Sequence, residues 1–96
     1  MRIDELPELI DNEVVVIYSG QGGIPYIHKV TRNREAAVRA YHALVTSIAK
    51  PLSASEATEW VTRNKGFEGD LEAIGEQWYL ARSETFDAFW EVVVVD

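Results

Sequence analysis

Residues 13–31, EVVVIYSGQGGIPYIHKVT, set a β-branched run, a glycine-rich link and an alternating run one after another. Branched side chains are less restricted on a pleated surface than in a helix, so EVVVIYS at 13–19 predicts a strand. PYIHKVT at 25–31 alternates with period two, which predicts Tyr26, His28 and Val30 on one face and Ile27, Lys29 and Thr31 on the other. The link, with Gly20, Gly22 and Gly23, raises the question of a phosphate cradle. Such a cradle needs its loop to run into a helix N-terminus, where free N–H groups and the helix dipole meet the anion. Here the loop runs into Pro25 and a second strand, without the Gly-Lys-Ser/Thr ending or the following helix that nucleotide motifs require. Glycine also supplies the positive φ of tight turns, so the stretch reads as a structural hairpin connection.

The remaining elements follow from periodicity and caps. Ile3, Leu6, Leu9 and Ile10 keep helical spacing, and Pro7 is tolerable in a first turn, which predicts a short helix over 4–11. From Arg32 to Lys50, Ala37, Val38, Tyr41, Leu44, Val45 and Ile48 form one apolar stripe, with Thr31 or Asn33 as the cap and Pro51 as the stop. Ser53-Ala54-Ser55-Glu56 is a capping box. The helix it starts turns Ala57, Trp60 and Val61 inward and ends at Asn64-Lys65-Gly66, with Gly66 as a left-handed cap and Phe67 folded back. Residues 70–75 read as one or two helical turns. QWYLARS at 77–83 reads as a strand or as an extension of that helix, and FWEVVVVD as a final strand joined to it around Glu84–Asp87. The fold class is therefore α+β in a single domain over residues 1–96: an antiparallel sheet of about four strands, built from the N-terminal hairpin and the C-terminal strands, with two to three helices mainly on one face.

VVVI at 14–17 and VVVV at 92–95 are continuous and not alternating. A sheet covered by helices on one side alone should alternate. Either the chain covers both faces itself or the second face is buried against another molecule, which predicts self-association or a hydrophobic docking face.

Net charge is −7, distributed as −4 over residues 1–13, +4 over 14–65 and −7 over 66–96. That balance opposes direct binding to nucleic acid or an anionic membrane and suits a partner with a basic surface. With no cysteine, disulfides, thiolate catalysis and zinc–sulfur sites are excluded. The acidic start of the chain lacks the pattern of a signal peptide, so a soluble, cytoplasmic protein is expected.

No constellation of residues announces catalysis. His28 and His42 are the only histidines and lack metal-ligand spacing, and no GxSxG elbow is present. No cofactor, metal or catalytic residue is expected. The candidate partner-binding residues are the acids Glu68, Asp70, Glu72, Glu76, Glu84 and Asp87. Lys29, Arg32, Arg34 and Arg39 form a secondary basic cluster, placed unfavourably at a helix start. These features predict a non-catalytic acidic protein that acts by protein–protein binding. In its narrowest form it is a phage or mobile-element counter-defence inhibitor, with carboxylates standing where a nucleic-acid-handling partner takes phosphates. Small size, acidity and lack of cysteine are common among such inhibitors, anti-CRISPR proteins included, without being a motif. The alternatives are an immunity or antitoxin-type protein neutralising a basic toxin, and a small ligand-binding domain with a pocket over the sheet.

Overall fold

The computed structural model describes residues 2–21, 23–64, 70–83 and 86–95. A 3-10 turn at Ile3–Glu5 leads into β1 (Glu13–Gln21) and β2 (Ile24–Thr31), then α1 (Arg34–Ile48), β3 (Pro51–Leu52), α2 (Ala54–Arg63), β4 (Leu71–Ile74), β5 (Gln77–Leu80) and β6 (Asp87–Val94). The α+β class stands, but the sheet is divided. Two antiparallel three-stranded sheets form, in the orders β2-β1-β6 and β3-β5-β4. The hairpin and the C-terminal strand share the first sheet, Glu13 to Gly20 running in unbroken register against Val94 to Asp87.

β1 and β2 pair out to Gln21 and Ile24, and Gly23 takes the φ of +82° that makes glycine necessary there. Gly22 lies outside the described residues. A register shift where Ile17 pairs with Lys29 and Tyr18 with Ile27 leaves His28 as an extra residue, a β-bulge. The bulge overturns the simple alternation expected for β2. Paired residues share a face, so Ile27 lies with Tyr18 and Val30 with Val16, both on the outer face. Tyr26 pairs with Ser19 on the opposite face.

α1 crosses the inner face of the first sheet. Its Ala37, Tyr41, Leu44 and Val45 join Val15, Ile17 and Ala88 in one buried cluster with Ile3, Leu6, Ala81 and Phe86. The Tyr41 hydroxyl donates to the Ala88 carbonyl at 3.3 Å, so the ring is buried without stranding its polar end. Asn33 caps α1, its side chain accepting from the Ala36 N–H at 3.0 Å. Ile48, expected on the stripe, is 54% exposed at the last turn. The capping box of α2 forms as read, Ser53 Oγ accepting from the Glu56 N–H and Glu56 from the Ser53 N–H. The Gly66–Phe67 cap lies outside the described residues.

Two further expectations fail. Residues 4–11 are not a helix: only the 3-10 turn forms, and beyond it Arg34 and Arg32 bond the Leu6 and Asp11 carbonyls while Ile10 and Glu13 bond each other. Residues 71–74 are strand β4, joined to β5 by a tight turn with Gly75 at φ +64°. Leu71 and Glu72 are both buried, so β4 is covered on both faces and shows no period to read.

Candidate functional site

The outer face of the β2-β1-β6 sheet carries Val14, Val16 and Tyr18 on the central strand, Ile27 and Val30 on β2, and Phe89, Glu91 and Val93 on β6. α1 packs on the other face. Ile27 is 61% exposed, Val30 54% and Val93 40%. Tyr18 and Phe89 stack across strands at 5.1 Å between ring centroids, and the Arg82 guanidinium lies 5.6 Å from the Phe89 centroid. Burial first, and then the Glu91 carboxylate beside it, hold the Tyr18 hydroxyl above its ordinary pKa. The face is thus an apolar floor with an aromatic pair and two carboxylates, Glu91 and, at its end opposite Gly20, Asp87, on an antiparallel ladder.

The acids singled out in the sequence do not assemble into one surface. Glu68 and Glu84 lie outside the described residues. Glu76 is exposed in the β4–β5 turn, and Asp87 is half-buried at the start of β6. Asp70 and Glu72 are buried, at 9% and 1% exposure, and cannot present charge to a partner. Asp70 forms an ion pair with Arg82. Glu72 accepts a hydrogen bond from the Ile3 N–H at 2.8 Å. Burial raises its pKa to about 7, against the opposing pull of that N–H and of Arg2. The same two carboxylates, together with burial as the larger cause, push the Tyr41 hydroxyl up. This cluster is structural: it ties the N-terminal segment to β4.

The basic cluster is also partly consumed inside the fold. Arg34 donates from Nε to the Leu6 carbonyl at 2.8 Å and from a terminal nitrogen to the Asp4 carbonyl at 3.3 Å. Arg32 donates to the Asp11 carbonyl at 3.0 Å. These bonds explain bases at a helix start: they serve the carbonyls of residues 4–11, which have no helix to satisfy them. Lys29 and Arg39 are exposed.

His28 reaches Ser19 Oγ at 2.8 Å from Nε2 and meets the Tyr26 ring edge-on at 4.8 Å between centroids. His42 is half-buried on α1, and burial lowers its pKa. Among the described residues no three His, Asp or Glu side chains cluster as metal ligands would. The same residues include no helix long and apolar enough to cross a membrane. A groove of about 420 Å³ runs between α2 and the second sheet, floored by Ala57, Val61, Leu71 and Trp78, with the Arg2 guanidinium 5.5 Å from the Trp78 ring. It is largely apolar, and Arg2 at its rim is already paired with Asp4 at 3.4 Å.

The continuous valine runs were the signal that pointed to the outer face. What no local pattern could give was the bulge that brings Ile27 onto it. Compared with protein-family models, curated proteins and solved structures, the chain matches none.

Proposed function

We propose that the chain is a non-catalytic protein that acts by binding a protein partner face-on through the outer face of the β2-β1-β6 sheet. The observation that carries this reading is the apolar face itself, whose members Ile27, Val30 and Val93 are left in water. Isolated exposed apolar residues are ordinary, whereas a contiguous patch on a regular sheet marks an interaction surface. Glu91 on the face and Asp87 at its end favour a partner with basic groups around an apolar centre. The counter-defence form, in which carboxylates replace phosphates, draws its support from the net charge of −7. With Asp70 and Glu72 buried, that form draws nothing from them, and the apolar face becomes the main contact.

The test is capture of partners from host lysate by the tagged chain and by the double variant Ile27→Asp, Val30→Asp, with circular dichroism to confirm folding. One partner retained in stoichiometric amount by the native chain and lost by the folded double variant is the expected result. A partner held equally by both, or none held by either, overturns the reading.

A further inference from the structure

The groove between α2 and the second sheet is apolar except at one wall. Ala57 and Leu71 on its floor are buried, and Val61 and Trp78 are half-buried. Its volume of about 420 Å³ falls within the ~300–1,000 Å³ of small-molecule pockets. Two threonines of α2 line one side, and both hydroxyl protons are spent within the helix. Thr58 donates to the Ala54 carbonyl and Thr62 to the Thr58 carbonyl, each at 2.9 Å. Among the described residues that line the groove, Arg2 alone is charged, so its guanidinium is the strong donor there.

Arg2 is well placed and poorly satisfied. Its guanidinium lies 5.5 Å from the Trp78 centroid, which holds the side chain along the groove. Its Nε–H is shielded from water, and no described group accepts from it. Two carboxylates stand near. Asp4 meets one terminal nitrogen at 3.4 Å, but its own side chain is 64% exposed, so water competes for it. Glu72 is buried, with Oε1 taken by the Ile3 N–H. Neither makes the two-bond contact in which a guanidinium binds a carboxylate best.

We propose that this groove binds a small amphipathic monocarboxylate, its apolar body on Val61, Leu71 and Trp78 and its carboxylate on the Arg2 guanidinium. Charge selects this ligand: in a chain of net charge −7, the groove is an apolar cavity whose one charged wall is positive. A neutral apolar molecule would fill the floor and leave the guanidinium without its acceptor. A body rich in hydroxyls or phosphates would lose its hydration against walls that cannot replace it. The site is separate from the outer face of the first sheet, so it stands or falls independently of the partner contact there.

Heteronuclear NMR titration of the full chain with sodium octanoate to several millimolar, and with octanol as the uncharged control, tests this. Octanoate should shift the amides of Ala57, Val61 and Leu71 and the Trp78 indole N–H, and should bind about tenfold tighter than octanol. Arg2→Met keeps a long side chain over Trp78 and should bring octanoate down to the level of octanol. Asp4→Asn removes the competing carboxylate without touching the groove and should tighten octanoate a few-fold. The proposal is overturned if octanoate shifts none of these signals, or if octanol binds as tightly. It is equally overturned if Arg2→Met, still folded by its spectrum, binds octanoate as the native chain does, or if Asp4→Asn leaves the affinity unchanged.

Discussion

Glu72 holds the N-terminal segment to the second sheet at the cost of a buried carboxylate. Its folded pKa of about 7 lies above the ordinary 4.5 because burial disfavours the charge more than the Ile3 N–H and Arg2 favour it. The native state therefore holds a proton that the unfolded state gives up as pH rises between those two values. Stability from this group is full below about pH 4.5, falls as pH rises toward neutrality, and levels off above pH 7, a loss on the order of 3 kcal/mol. Glu72→Gln keeps an oxygen for the Ile3 N–H and removes the charge. Urea denaturation at pH 5 to 8 should show the variant about 2 kcal/mol more stable than the native chain at pH 8, with the gap closing toward pH 5. A variant less stable at pH 8 would mean that the charged pairing outweighs the burial. Arg34 is the opposite case, a guanidinium whose bonds serve two carbonyls of the same segment. Arg34→Ala should cost about 1–2 kcal/mol and speed amide hydrogen exchange at residues 3–9 more than elsewhere. Neither role was legible in the sequence. Both side chains look like surface charges there, and their partners are 69 and 28 residues away.

Elements whose causes are local were read correctly, and those held from a distance were not. β1 follows from its branched residues, α1 from its stripe and the Asn33 cap, α2 from its capping box. The box is worth about 1 kcal/mol, so Ser53→Ala should lower stability by about that amount while leaving α1 and the first sheet unchanged in a heteronuclear NMR spectrum. Residues 4–11 had helical spacing, but Pro7 lacks an N–H, and bonds from Arg32 and Arg34 satisfy carbonyls that a helix would have used. β4 looked helical because Leu71 and Ile74 are three apart; as a short strand buried on both faces it gives no alternation to detect. The outer face was half legible. Its valines marked an apolar second face, while the bulge at His28 exists only in the pairing with β1, and it moves Ile27 from one face to the other.

At the scale of the molecule, the proposed partner contact uses the outer face of the β2-β1-β6 sheet, and the net charge of −7 acts on it. The radius of gyration of 13.7 Å exceeds the ~12.5 Å of a compact domain of this length. A partner with a basic surface is drawn to that charge, and added salt weakens the attraction. Raising sodium chloride from about 50 mM to about 500 mM, over which the Debye length falls from roughly 14 Å to 4 Å, should therefore loosen the partner complex, as read by surface plasmon resonance. If salt tightens the complex instead, apolar burial governs the contact and the acidic character of the chain has no part in it.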